Sequence, residues 1–118
     1  MNNIQVAENF HLREFECKDG SRQVVLHSEL LRRLQHLRST LGRPVYVRSG
    51  YRNPAHNARV GGSPNSYHLR GMAADITVSG LPPRQLAEAA RQAGFRGIGI
   101  YSGFVHVDIR PSPAQWNG

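Results

Sequence analysis

The C-terminal part of the sequence contains two short strand-like runs, GIGIYS and FVHVDI, joined at Ser102-Gly103. The second run alternates strictly, with Val105, Val107 and Ile109 separated by polar residues. Alternation with a period of two predicts a strand with one buried face, and a tight glycine-containing turn between two such runs is typical of an antiparallel hairpin. The pair therefore favours an α+β domain over a doubly wound α/β domain.

Two upstream segments have helical periodicity. Leucines recur at three- or four-residue spacing from Leu30 to Leu41, and Gly42 follows. The segment RQLAEAARQAG, after Pro82-Pro83, is rich in alanine and ends at a glycine suited to a helix C-terminus. Both segments predict amphipathic helices that cover one face of a sheet.

Two further runs predict strands. PVYVRSGYR alternates and then reaches a turn, and AADITV (residues 73–78) places Ala74, Ile76 and Val78 on one face and Asp75 on the other. The intervening residues 53–66 are rich in Asn, Gly and Pro, which predicts a long surface loop with at most one helical turn. The expected fold is a small antiparallel sheet with covering helices.

Length and composition limit the class of protein. A chain of 118 residues is expected to form one domain, residues 1–118. Its apolar runs are far shorter than the roughly 20 residues of a membrane span, and its N-terminal segment lacks the features of a secretory leader. Because Cys17 is the only cysteine, a thiolate metal cluster is excluded, and any metal must be bound by His and carboxylate groups.

The charge indicates an anionic partner. Fifteen Lys and Arg against eight Asp and Glu give a net charge of +7, which suits nucleic acid, lipid or a bacterial wall polymer. The basic residues are scattered, without the dense runs or interleaved aromatic residues of a nucleic-acid groove. No nucleic-acid partner is therefore expected.

Three residues form a candidate metal site. His68, Asp75 and His106 offer two imidazoles and one carboxylate, and the last two lie on the outward faces of predicted strands. This is a ligand set of catalytic zinc sites that leave one position open for water. The spacing alone is weak evidence, because a loop histidine and an exposed strand carboxylate give the same pattern.

The sequence around these residues resembles a known family. SGYRNPAHNARVGGSPNSYHLRGMAADI followed by GIGIYSGFVHVDIRP is similar to the zinc D-Ala-D-Ala carboxypeptidases, in particular to short single-domain members from phages and prophages. The resemblance implies a fold like that of these peptidases and of hedgehog signalling domains. It also implies that His68 and Asp75, in the S-x-H-x6-D motif, and His106 bind Zn²⁺.

The resemblance assigns further roles. It implies that Arg52, in SGYR, is a catalytic residue that binds the substrate carbonyl or carboxylate, with Ser66 of the metal-site motif as a further substrate-binding position. Tyr101 is expected to line the substrate groove, because an aromatic ring with a polar tip suits a peptide that bears methyl side chains. A planar guanidinium suits both an oxyanion and a terminal carboxylate.

The general base departs from the family pattern. The family places an acidic residue three positions before the last zinc histidine, and that position is Gly103. The nearest carboxylate is Asp108, two residues beyond the same histidine. Asp108 is expected either to be the catalytic base or to orient a neighbouring side chain, and the sequence leaves both roles open.

The resemblance implies a zinc-dependent peptidase that cleaves a bond next to D-alanine in the stem peptide of peptidoglycan, as a carboxypeptidase or an endopeptidase. A non-catalytic, zinc-stabilised wall-binding module is the alternative, because the acid at position 103 is missing. With no visible leader, the enzyme is expected to be made in the cytoplasm and to reach the wall through lysis or on a phage particle. The oligomeric state and the native metal stay open.

Overall fold

The computed structural model describes residues 2–118 and has an α+β architecture. The strands are β1 (Gln5–Ala7), β2 (Phe10–His11), β3 (Tyr46–Ser49), β4 (Ala73–Thr77), β5 (Gly97–Ile100), β6 (Val105–Asp108) and β7 (Ala114–Asn117). The helices are α1 (Ser28–Leu41), α2 (Pro54–Arg59) and α3 (Pro83–Gln92), with 3₁₀ helices at Leu12–Phe15 and Tyr67–Arg70. Among these described residues, no helix has the length and apolar composition needed to cross a membrane.

Five strands form the main sheet in the order β3-β4-β6-β5-β7. The first four strands pair with one another in antiparallel fashion, and β5 and β6 form the predicted hairpin. The expectation of an antiparallel sheet is corrected at one edge, because β7 pairs in parallel with β5 and makes the sheet mixed. The segment that forms β7, AQWN, alternates apolar and polar residues over only four positions directly after Pro111 and Pro113, and this short signal did not predict a strand.

One face of the sheet carries the core. Leucines of α1 and apolar residues of α3 pack with the inward residues of the central strands. The fully or almost fully buried members include Leu30, Leu34, Leu37, Ile76, Leu86, Ala90, Val105 and Val107. Gly42 ends α1 with a φ of 67°, in the left-handed region that only glycine adopts without strain. Both predicted covering helices are confirmed.

The other face of β4 and β6 carries the polar residues, and the segment between β3 and β4 lies beside it. This segment is more ordered than predicted: Asn53 caps α2 by accepting a hydrogen bond from the His56 N–H at 2.8 Å, and Pro54 occupies the first turn. The β1–β2 hairpin near the N-terminus, with its ladder irregular at β1, was not predicted either.

Candidate metal centre

The three predicted ligands come together on the polar face of the sheet. Asp75 on β4 and His106 on β6 are paired residues of the antiparallel ladder, so their side chains emerge side by side. His68 lies in the 3₁₀ helix that Ser66 begins, where the Ser66 hydroxyl accepts a hydrogen bond from the His68 N–H at 3.1 Å. One ligand atom from each residue lies within 4.8 Å of the other two, which is the mutual spacing that a shared metal ion requires.

Hydrogen bonds fix which nitrogen of each histidine faces the centre. His68 Nδ1 is 2.7 Å from the carbonyl oxygen of Gly50, which accepts only, so Nδ1 carries the hydrogen and Nε2 is free. His106 Nε2 is 2.8 Å from Asp108 Oδ2, which leaves Nδ1 free. The free nitrogens are 3.2 and 3.1 Å from the same oxygen, Asp75 Oδ1. Three electron-pair donors converge on one point, an arrangement that a cation stabilises.

The electrostatics of the centre also favour positive charge. Burial raises the pKa of Asp75, but the imidazoles of His106 and His68, which donate to this carboxylate when they are protonated, lower it more, so the pKa of this carboxyl lies well below its usual range. Burial lowers the pKa of His106, but the imidazolium form donates to both Asp108 and Asp75, and these hydrogen bonds outweigh burial and raise that pKa. The Asp75 carboxylate is therefore ionised at neutral pH.

Arg52 is the cation nearest to Asp75. Its guanidinium donates to Ser49 Oγ at 3.1 Å, to Asn57 Oδ1 at 3.3 Å and to Asp75 Oδ2 at 3.2 Å. Because Oδ2 is occupied by the guanidinium, Asp75 offers Oδ1 to the centre. Arg52 also lines the cleft, where its side chain is 15% exposed.

Asp108 lies behind His106 and not in the cleft. Its side chain is fully buried, and Arg110 donates to it from Nε at 2.9 Å and from a terminal nitrogen at 2.6 Å. Burial raises the pKa of Asp108, but hydrogen bonds from Arg110 and His106 lower it more. A Cβ at Gly97 would collide with this carboxylate. The glycine on β5 therefore leaves the space that the Asp108 side chain occupies.

The cleft above the centre has a volume of about 650 Å³. Its lining is cationic and aromatic: Arg52, Arg70, Arg110, Tyr67, Tyr101, Phe104 and Trp116. Among residues 2–118, Asp75 is the one acidic side chain that lines it. The predicted positions Ser66 and Tyr101 both line the cleft, and Gly103 lies outside its lining in an exposed turn.

Trp116 and Arg110 form a wall of the cleft that was not predicted from the sequence. The Trp116 ring is 5.3 Å from the His106 ring, and its Nε1–H donates to the Tyr101 hydroxyl at 2.9 Å. The Arg110 guanidinium lies 4.9 Å from the Trp116 ring and 4.9 Å from the Tyr67 ring. Trp116 belongs to β7, whose alternation spans only the four residues AQWN, so the signal was too short to predict this strand.

Comparisons with known proteins place this geometry among peptidases. A family model described as Peptidase M15 matches residues 5–108. The chain is 40% identical over 67 residues to a zinc D-Ala-D-Ala carboxypeptidase of Streptomyces albus G, covering 56% of this chain and 26% of that protein. It is 36% identical over 89 residues to the peptidoglycan L,D-endopeptidase MepK of Escherichia coli K12, covering 70% of this chain and 48% of MepK.

The chain thus spans between about a quarter and about half of the length of these relatives. The fold is also similar to the crystal structure of the L-Ala D-Glu endopeptidase ChiX of Serratia marcescens, with a TM-score of 0.54 at 24% identity. That match covers 72% of this chain and 80% of ChiX.

Proposed function

Because the chain belongs to the peptidase M15 family, we propose that it is a zinc-dependent peptidase that hydrolyses the stem peptide of peptidoglycan. One observation carries the proposal: His68 Nε2, Asp75 Oδ1 and His106 Nδ1 converge on one point at the base of a cleft. Two imidazoles and one carboxylate make up the protein ligands of many catalytic zinc sites. Two relatives named above act on peptidoglycan or on a D-Ala-D-Ala bond, as their names state.

The donor set fits zinc in chemistry as well as in number. Each histidine has its second nitrogen held by an acceptor, Gly50 O or Asp108 Oδ2, which is the supporting arrangement usual around zinc. When bound, zinc supplies Lewis acidity and lowers the pKa of water to about 7. His68, Asp75 and His106 would hold it and leave the side that faces the cleft open.

Arg52 is the residue that would meet the substrate beside the centre. Three of its five N–H groups are used by Ser49, Asn57 and Asp75, and two stay available. They suit the oxygen of a scissile carbonyl as negative charge develops there, or a substrate carboxylate. The ion pair with Asp75 keeps the guanidinium in place before substrate binds.

For Asp108, the geometry favours orientation of His106 over the role of general base. A base must lie within hydrogen-bond reach of the water that it deprotonates. The Asp108 carboxylate is fully buried, and both its oxygens are engaged by Arg110 and His106. We therefore assign it the task of holding the His106 ring so that Nδ1 faces Asp75.

The proposed substrate is a stem peptide with a bond next to D-alanine, cut as a carboxypeptidase or endopeptidase, and the relatives add an L,D bond as a second specificity. The +7 charge and the cationic cleft suit an anionic wall polymer. The biological setting that we propose is phage- or prophage-linked wall lysis or remodelling.

The test is to incubate zinc-loaded protein with four peptides and to measure product masses with and without chelator. The panel is a pentapeptide ending in D-Ala-D-Ala, a D,D-crosslinked dimer, an L,D-crosslinked dimer and an L-Ala-D-Glu tripeptide. Chelator-sensitive cleavage of one member supports the proposal and names the bond. The absence of cleavage in all four, with zinc bound at one per chain, favours the non-catalytic binding module that Gly103 suggests.

A further inference from the structure

Asn57 is a buried polar residue next to Arg52. It lies within α2 and is 3% exposed. Its Oδ1 accepts from Arg52 at 3.3 Å, and its Nδ2 donates to the carbonyl oxygen of Ser63 at 2.8 Å. Its own carbonyl oxygen accepts from the Gly62 N–H at 2.8 Å. One residue is thus bonded both to the guanidinium in the cleft and to the loop that follows α2.

That loop forms part of the cleft. Residues 60–63, 65 and 66 line it, and the exposed Val60 side chain stands at its start. The loop packs closely on the amide: a Cβ at Gly62 would collide with Asn57 Oδ1 and would come within 3.0 Å of an Arg52 nitrogen. A glycine is required there because the loop backbone approaches the Asn57–Arg52 pair so closely.

We propose that Asn57 is a positioning residue that acts through Arg52. Its Oδ1 fixes the guanidinium at the angle at which Ser49 and Asp75 also hold it, and its Nδ2 links that guanidinium to the Gly62–Ser63 backbone. Substrate that packs against the loop is therefore coupled to the placement of Arg52. The coupling to substrate rests on the proposed function, whereas the fixing of Arg52 does not.

Two substitutions separate the two links. Asn57→Leu keeps the branched shape and the number of heavy atoms of the side chain and removes both hydrogen bonds. Asn57→Asp keeps an oxygen for Arg52 and removes the donor to Ser63. Asn53→Ala is the matched control on the same helix, because the Asn53 side chain caps α2 but makes no hydrogen bond with Arg52.

The first readout is the NMR signal of the Arg52 Nε–H, assigned by its absence in Arg52→Lys. We expect Asn57→Leu to speed its exchange with water by about 10-fold or more, and Asn57→Asp to stay within about 3-fold of the unsubstituted protein. Asn53→Ala lowers the thermal midpoint but leaves this exchange unchanged. Unchanged exchange in Asn57→Leu, or equal acceleration in Asn53→Ala, overturns the proposal.

The second readout is steady-state kinetics on whichever stem peptide the protein cleaves. We expect Asn57→Leu to lower kcat by about 10- to 100-fold, and Asn57→Asp to raise KM while kcat changes little. In an Arg52→Ala background, Asn57→Leu should cause no further loss of kcat.

The two readouts separate two kinds of failure. If Asn57→Leu lowers kcat by the same factor with Arg52 present and in the Arg52→Ala background, Asn57 has a merely structural role and the proposal is overturned. A protein that cleaves no stem peptide refutes the proposed function, and the NMR readout then still decides whether Asn57 positions Arg52.

Discussion

His106 Nε2 lies 2.8 Å from Asp108 Oδ2, and this bond turns the opposite ring nitrogen toward Asp75. Asp108 is itself held by Arg110, whose guanidinium lies over the rings of Tyr67 and Trp116. The orientation of one ligand is therefore set by a buried ion pair and an aromatic wall. A ring held in one orientation loses little entropy when a metal binds.

The first prediction concerns Asp108. Asp108→Asn keeps the shape of the side chain but removes the charge that holds the Nε2–H of His106. Loss of such a supporting carboxylate weakens zinc binding by about 10- to 100-fold. Competition with a chromogenic chelator measures the affinity, and Glu88→Gln, an exposed carboxylate on α3 paired with Arg91, is the control.

The outcome for Asp108→Asn also decides between its two possible roles. If zinc affinity is unchanged while hydrolysis is abolished, Asp108 is the general base and the orienting role assigned above is wrong. If affinity falls and zinc saturation restores much of the activity, orientation is its role.

The second prediction concerns stability on metal binding. The three ligands already lie together in the folded chain, so zinc binds the native state in preference to the unfolded one. At a free zinc concentration of 100 times Kd, the native state gains about 2.7 kcal/mol, which corresponds to a rise of roughly 10 °C in Tm. Calorimetry with and without zinc measures it. His68→Ala should show no rise, and an unchanged wild-type Tm would argue against a metal site here.

The third prediction uses Trp116, the only tryptophan in the chain. Its ring is 5.3 Å from that of His106, so a paramagnetic ion at the centre should quench its fluorescence. Titration with Co²⁺ should quench the emission to an end point at one ion per chain. In Asp75→Asn, a far higher Co²⁺ concentration should be required to reach the end point of quenching. If Trp116 emission is unchanged when the protein is saturated with Co²⁺, the ion binds elsewhere.

The fold was predictable where the sequence is periodic. Leucine spacing and Gly42 define α1, and alternation through residues 73–78 correctly places Asp75 on the face opposite Ile76. These signals arise because one face of a single helix or strand is buried, which produces a periodic pattern of apolar residues in the local sequence.

Other parts leave a weaker local signal or depend on contacts between elements. β7 is held by its parallel pairing with β5, and the alternation of its segment AQWN covers only four residues. The Asn53-Pro54 pair is a helix-start signal that could have indicated α2. The contact between Asn57 and Arg52 spans a turn and a helix, so it is visible only in three dimensions.

The fourth prediction concerns acid stability. Hydrogen bonds from the Ser21 hydroxyl and N–H, and then from Asn53, hold the pKa of Asp19 well below its usual range. A carboxyl with a lowered folded-state pKa stabilises the fold above its unfolded-state pKa of about 4, and this stabilisation is lost as pH falls below that value. Asp19→Asn should reduce the free energy of unfolding at pH 7. It should also make that free energy fall less steeply between pH about 4 and about 2. Urea unfolding measured across this pH range tests the prediction. If the free energy of unfolding depends on pH as steeply in Asp19→Asn as in the unsubstituted protein, the prediction is wrong.

The central claim is that one zinc held by His68, Asp75 and His106 makes this chain a peptidase for peptidoglycan stem peptides. The most direct measurement is to titrate zinc into metal-free protein and follow alanine release from a pentapeptide ending in D-Ala-D-Ala, with crosslinked dimers in parallel. We expect hydrolysis of one of these substrates to rise in proportion to added zinc, to stop rising at one ion per chain, and to be lost in His106→Ala. Stoichiometric zinc binding at this centre with no cleavage of any stem peptide would contradict it.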